Sequence, residues 1–364
     1  MPDTLKFALV GYGYAGKTIH APLIGCVENL NLVAVCSSNP EKVLVDFPAV
    51  EVSASLDALF ADTQIDAVAI ATPNDTHFSL AKQSLLAGKH VVVDKPFTVT
   101  AAQARELKSL AEKGKLVLSA FHNRRWDSDF LTLRKVVASQ ELGELVSFES
   151  RFDRFRPEVR TRWREQIGDG TGLWYDLGPH LLDQALQLFG CPIALQADFA
   201  TQRDGGKATD YFHVLLRYDR LRVILHASML VADESPRFIL RGVSGSYAKF
   251  GLDTQEESLK CGVSPSSAHY GEDPREGVLQ TPASAPGVTR LVPNLRGDYR
   301  LFYSGFRDAV LLNTANPVSL EDAVSTMDLI ELASKSAILR KEITLPRIAK
   351  RHHLLKHSHA FQPQ

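Results

Sequence analysis

Leu5-Lys6-Phe7-Ala8-Leu9-Val10 runs directly into Gly11-Tyr12-Gly13-Tyr14-Ala15-Gly16. The first six residues make an apolar run long enough for one buried strand, and the glycines after them are spaced G-x-G-x-x-G. In a strand-to-helix turn each glycine has its own task. The first permits the tight turn, the second lets the backbone approach a pyrophosphate, and the third lets the helix pack against the strand. The helix then opens with free N–H groups, a natural seat for an anion. A second apolar run, Asn31-Leu32-Val33-Ala34-Val35-Cys36, completes a βαβ pattern. Gly11, Gly13, Tyr14, Ala15 and Gly16 are therefore expected at a dinucleotide; an ordinary βα turn is the alternative.

The end of the second run bears on which dinucleotide. An NAD-binding unit places Asp or Glu about 20 residues past the glycines, for the ribose 2′-hydroxyl. Here the chain reads Cys36-Ser37-Ser38-Asn39-Pro40, with Lys42 a turn later. No carboxylate repels a 2′-phosphate, while Ser37, Ser38 and Lys42 can donate to one. NADP is expected in preference to NAD.

A chain of 364 residues exceeds the usual single domain. Over residues 1–121, strand-like runs (66–71, 90–93, 116–121) alternate with helix-like ones (76–87, 100–113). This is the pattern of a doubly wound parallel α/β sheet of Rossmann type. The texture then changes. A helix over 128–139 and a strand over 145–152 lead to a short helix over 181–189, followed by strands in succession with a hairpin at Asp219-Arg220. Residues 122–318 are thus expected to form an α+β domain with a large open, mainly antiparallel sheet. A closing helix over 319–340 should pack back on the first domain, and 346–364 reads as a tail.

A formal net charge of −1 and 45% hydrophobic residues argue against nucleic acid or a membrane surface as partner. Cys26, Cys36, Cys191 and Cys261 form no C-x-x-C pair and read as reduced thiols of a cytoplasmic protein. The tail histidines, His352, His353, His357 and His359, have no carboxylate or cysteine beside them, so no metal centre is expected.

Ligands of an open parallel sheet gather beyond the carboxyl ends of its strands. Lys95, in Asp94-Lys95-Pro96-Phe97, stands at such an end, where an ammonium can stabilise charge developing on a substrate oxygen. Asp176 and His180 are four residues apart in Trp174-Tyr175-Asp176-Leu177-Gly178-Pro179-His180 and share one face if a helix begins near Asp176. In that case Pro179 falls in the first turn, where it is tolerated. Imidazole titrates near neutrality and suits the proton acceptor in alcohol oxidation. A helix cap for Asp176 and a core position for His180 are the plainer readings. Thr72, Pro73, Asn74 and His77 end another strand on the ligand side, as does Asn123 after Phe121. Arg151 to Arg164 interleaves six arginines with Phe152, Phe155 and Trp163. Asp153, Glu158 and Glu165 interrupt the run, which speaks against nucleic acid. Trp163 and Arg164 are expected to reach cofactor or substrate, and Arg124, Arg154 and Arg156 to hold substrate hydroxyls.

Together GYGYAG, TPNDTH, DKPFT, HNRRWD and YDLGPHLLD resemble the glucose–fructose oxidoreductase / inositol dehydrogenase / rhizopine-catabolism (Gfo/Idh/MocA) family over nearly the whole chain, to about residue 345. Asp94 stands where the family carries Glu. The resemblance implies an oxidoreductase that exchanges hydride with a ring carbon of a sugar or polyol. It implies Lys95, Asp176 and His180 as the catalytic set, Asp94 and Lys95 at the cofactor, and an open sheet used for assembly into a homodimer or homotetramer. HNRRWDSDFLTL, FRPEVRTRWRE and TDYFH are similar to an NADP-dependent scyllo-inositol 2-dehydrogenase subgroup, which implies scyllo-inositol as substrate. Another sugar on the same scaffold, or a non-catalytic dinucleotide sensor, stays open.

Overall fold

The computed structural model describes residues 4–281 and 289–346. The histidine-bearing part of the tail lies outside them. The first domain holds six parallel strands: β1 (Leu5–Val10), β2 (Leu30–Cys36), β3 (Glu51–Ser53), β4 (Ala67–Ile70), β5 (His90–Val93) and β6 (Leu118–Ala120), ordered β3-β2-β1-β4-β5-β6. Its central strands are covered on both faces, which is why Phe7-Ala8-Leu9, Val68-Ala69-Ile70 and Val91-Val92-Val93 read as unbroken apolar runs. The strand order reverses between β1 and β4, opening a crevice beyond their carboxyl ends. Gly11, Thr72, Lys95 and His122 all leave the sheet on that side.

The second domain carries nine strands: β7 (Leu145–Arg151), β8 (Ala194–Ala200), β9 (Tyr211–Arg217), β10 (Arg222–Ser228), β11 (Pro236–Gly242), β12 (Gly245–Phe250), β13 (Gly277–Gln280), β14 (Arg290–Val292) and β15 (Ile343–Thr344). Their order is β14-β13-β12-β11-β7-β10-β9-β8-β15, antiparallel throughout except for the parallel pair β7 and β10. The expected hairpin joins β9 to β10, with Tyr218 N donating to Leu221 O across Asp219-Arg220 at 3.1 Å. Phe212, Val214 and Leu216 of β9 face the core, beneath the helix Gly172–Phe189, while the helix Leu320–Leu339 lies against β8. On the other face one register row runs through Leu215, Ile224, Glu149, Ile239, Ala248 and Val278, all half-buried.

Two expectations need correction. The helix expected over 181–189 begins nine residues earlier, at Gly172, so Pro179 lies inside it rather than in its first turn. Packing overrides the local penalty: Gly178 lets the Trp174 ring lie against the helix, since a Cβ at 178 would come within 2.6 Å of that ring. The closing helix Leu320–Leu339 belongs to both domains. Its Glu331 accepts from Ala101 N at 2.8 Å, and its Ser336 hydroxyl accepts from Ala197 N in β8 at 3.0 Å.

Arg125 ties these parts together. Its Nε and Nη2 donate to Asp183 at 2.9 and 2.6 Å, Nη2 also reaches Asp322 at 3.0 Å, and Nη1 donates to Pro317 O at 3.2 Å. The fork matches the carboxylate in both directions, and both groups are buried.

Candidate active site

The glycines divide by what surrounds them. Gly11 has φ +95°, and a Cβ there would lie 2.7 Å from Ala71 O. At Gly16 it would lie 2.0 Å from Gly11 O. Packing within the chain dictates both. At Gly13 an added Cβ would meet nothing within 4 Å, so protein packing does not require this glycine, and the space is open to close approach by a pyrophosphate. Gly13→Val should therefore weaken dinucleotide binding, read by fluorescence titration, and leave the melting temperature unchanged. A fall in melting temperature would show instead that the glycine serves the fold.

At the end of β2, the Ser37 hydroxyl accepts from Asn39 N at 3.1 Å, and Asn39 caps the helix Pro40–Asp46 by accepting from Lys42 N at 3.1 Å. The Lys42 ammonium reaches Tyr12 O at 3.4 Å, beside the glycine loop, while Ser38 is exposed.

Across the crevice, Lys95 Nζ donates to Asp176 Oδ1 and to the Asp176 carbonyl, each at 2.7 Å. Pro179 has no N–H to give to Tyr175 O in this turn, and Lys95 meets the next carbonyl, that of Asp176. Arg154 and Arg164 approach the same carboxylate at 3.7 and 3.8 Å. Burial by itself would raise the Asp176 carboxyl, but Lys95, Arg164 and Arg154 outweigh it and hold the group well below the usual carboxylate range. His180, one turn on, is buried, and its Nδ1 has no partner in the protein. Burial first, then the charges of Lys95, Arg124 and His122, push its imidazole well below the ordinary 6.5 against the pull of Asp176. The site thus sets a fixed ammonium beside a neutral imidazole. Residues 81 positions apart meet directly in the Lys95–Asp176 pair.

The remaining expected residues divide. Asn74 is buried at the end of β4; its Nδ2 donates to Gly170 O at 2.7 Å, while Oδ1 is buried without a partner and free to accept from a ligand hydroxyl. The Thr72 hydroxyl meets Thr76 at 2.6 Å, Pro73 leads into the short helix Asn74–Thr76, and Asn123 is buried at the start of the turn after β6. Arg164 stacks its guanidinium on Trp163 at 4.6 Å. Three residues expected to touch ligand are engaged within the protein. His77 sets its ring nitrogens against two backbone carbonyls, Pro96 O at 2.8 Å and Thr72 O at 3.0 Å, and its one N–H donates to either, so it sits between the loops after β4 and β5. Asp94 accepts from Lys95 N at 2.8 Å; against the cost of burial, His20, Lys95 and His77 hold its carboxyl down at about 2. Arg124 is paired with Asp127 at 3.1 Å and Glu256 at 2.8 Å. Arg156 has no ion pair among the described residues.

Two side chains at the site carried no role in the sequence reading. His122 is buried beside Arg125 and Asp183, and neither ring nitrogen has a partner. Its place directly after β6 was the available signal. Glu256, from the second domain, accepts from the Tyr14 hydroxyl at 2.7 Å and so reaches the glycine loop; no local pattern marks it.

A G-x-G-x-x-G turn with ligand space at Gly13, on a parallel sheet, facing a lysine–carboxylate–imidazole group, defines a dinucleotide-binding oxidoreductase of two domains. The chain matches the family model for the NAD-binding Rossmann fold of Gfo/Idh/MocA oxidoreductases over residues 5–122 and that for their C-terminal alpha/beta domain over 134–345, and it belongs to that family. It is 52% identical over 345 residues to the uncharacterized oxidoreductase YdgJ of Escherichia coli, covering 95% of this chain and all of that one. It is 36% identical over 345 residues to the scyllo-inositol 2-dehydrogenase (NADP(+)) IolW of Bacillus subtilis, covering 94% of this chain and 96% of that one. A solved oxidoreductase structure from Yersinia pestis superposes with a TM-score of 0.90 at 51% identity, covering 96% of this chain and 99% of that one. Among the described residues no helix is long and apolar enough to cross a membrane.

Proposed function

We propose that the protein is an NADP-dependent oxidoreductase of the cytoplasm that interconverts a ring hydroxyl of a cyclic polyol or sugar and the corresponding ketone. Scyllo-inositol and its 2-keto form are the first pair to test, since they belong to the activity named for the Bacillus relative. The observation that carries the reading is the Lys95–Asp176 pair standing beside the neutral His180. The glycine loop would hold the pyrophosphate, Asn74 Oδ1 a ribose hydroxyl, and Ser38 and Lys42 the 2′-phosphate. When bound, the nicotinamide supplies hydride exchange with the carbon bearing the hydroxyl. In oxidation His180 takes the hydroxyl proton, and Lys95 donates a hydrogen bond to the same oxygen. Asp176 keeps the ammonium aimed. In reduction the imidazolium returns the proton.

Incubation with a polyol and sugar panel, with NADP and NAD in parallel, tests this through the near-ultraviolet absorbance of the reduced nicotinamide. Reduction of NADP ahead of NAD is expected. Binding without any absorbance change would mark a sensor instead.

The base form of His180 is neutral, and its pKa lies below 6.5. Oxidation should accordingly hold its kcat/KM from neutral pH down past 6.5 and fall only in more acidic solution. Removing the ammonium in Lys95→Met relieves repulsion of the imidazolium, so the His180 titration followed by NMR should move up. Removing the carboxylate in Asp176→Asn should move it down. A Lys95→Met shift in the other direction would place the ammonium outside the field of the imidazole.

The half-buried row from Leu215 to Val278, apolar except for Glu149, supports self-association through the open sheet face. Light scattering giving a monomer mass at micromolar concentration would reject it.

A further inference from the structure

Five arginines fall between positions 154 and 164, and most have a carboxylate. Asp176 is shared by Lys95, Arg154 and Arg164. Glu165 takes Arg162 at 2.9 Å and Arg203 at 2.8 Å, and Arg203 also has Asp210 at 2.9 Å. Arg156 and Arg160 are left over. Among the described residues neither guanidinium has a side-chain ion pair or hydrogen bond. Glu158 stands between them in the chain, exposed, and pairs with neither.

The backbone at both positions is tied to the wall of the candidate active site: Arg160 N donates to Glu165 at 3.4 Å, and Glu165 lines it. Arg162, Arg164, Asp176 and Arg203 line a narrow opening there. Arg164 Nε is buried there without a hydrogen-bond partner. Arg156 N donates to Met229 O at 2.7 Å, and Met229 lines the same opening. Burial, then Arg154, Arg160 and Arg162, weigh against the Arg156 charge, with Asp176 acting the other way. Guanidinium groups without carboxylate partners beside a site favour an anion there. The cofactor's phosphates do not account for them, because the glycine loop and the end of β2 take those.

We propose that the ring bound here carries an anionic substituent, a carboxylate or a phosphate, anchored by Arg156 and Arg160. Guanidinium forks suit both groups, and two forks can hold one anion from two sides. The inference takes its location from the hydride-transfer reading above, but it concerns binding and can be tested without turnover.

The experiment is calorimetry on the NADP-loaded protein with D-glucose, D-glucuronate and glucose 6-phosphate, and with scyllo-inositol against an inositol monophosphate. The acidic rings should bind about 10- to 100-fold more tightly than their neutral parents, the range of charge-assisted hydrogen bonds. The advantage should shrink as salt is added. It should be lost in Arg156→Gln/Arg160→Gln and largely kept in Arg156→Lys/Arg160→Lys, with circular dichroism confirming that both variants fold. Glucuronate and glucose 6-phosphate separate carboxylate from phosphate. Acidic rings bound no better than neutral ones, undetectable binding of both included, would overturn the proposal, as would a preference unchanged in the glutamine variant. Absorbance with the same compounds keeps the two readings apart. Tight binding of an acidic ring without oxidation removes the hydride-transfer reading alone, and oxidation without preference removes the anion site alone.

Discussion

Lys95→Ala should lower turnover by about 10²- to 10³-fold, the loss that follows removal of a single preorganised donor at a developing oxyanion. Dinucleotide affinity should stay close to that of the unaltered protein, because the ammonium's hydrogen bonds go to Asp176 in the second domain. The variant leaves Asp176 with Arg154 and Arg164 as neighbours, so the carboxylate stays ionised and the helix Gly172–Phe189 keeps its charge pairing. Stopped-flow and steady-state absorbance, with a parallel fluorescence titration of NADPH, separate the two effects. Turnover within a few-fold of the original would remove Lys95 from the chemistry. Loss of NADPH binding would make it a cofactor residue.

Arg125→Ala should cost about 3–5 kcal/mol of folding stability, because it leaves Asp183 charged and buried with no partner. The loss should exceed that of the double substitution Arg125→Met/Asp183→Leu, which removes both charges and refills the space. Urea unfolding followed by tryptophan fluorescence checks this, since Trp126 lies next to the clamp in the chain and Trp174 sits in the same helix as Asp183. Equal destabilisation by the single and double substitutions would mean that packing, rather than the ion pair, holds this junction. The clamp spans the exit of the first domain, the helix bearing Asp176 and His180, and Asp322 of the closing helix. Its loss should therefore blur the active-site geometry before the molecule unfolds.

What could be read from the chain alone follows from which interactions are local. The β1 turn was legible because strand, glycines and helix are contiguous, and each glycine answers to a separate steric or ligand demand. The parallel core was legible because burial on both faces removes polar alternation from β4 and β5. Short β3 was not, since three residues carry no period. Pro179 misled the reading of the helix start: a proline signals a first turn, yet here the packing of Trp174 against Gly178 extends the helix back to Gly172. Lys95, Asp176 and His180 stood out through position and spacing, and family resemblance joined them. Their contact across 81 residues is a property of the fold. Arg124 and Arg125 read alike in sequence and differ only in the carboxylates that meet them, Asp127 and Glu256 for one, Asp183 and Asp322 for the other. His77 looked like a ligand-facing histidine because the carbonyls that occupy it, Pro96 O and Thr72 O, belong to loops that spacing does not bring together.

The most direct test of the central claim is isotope transfer. A ring polyol carrying deuterium on the carbon of the reacting hydroxyl is incubated with the protein and NADP, and the reduced cofactor is isolated and weighed by mass spectrometry. The account predicts deuterium in the reduced nicotinamide, slower turnover than with the unlabelled ring, and label transfer slowed by about 10²- to 10³-fold in Lys95→Ala. Reduced cofactor free of label, or label transferred undiminished by Lys95→Ala, would contradict it.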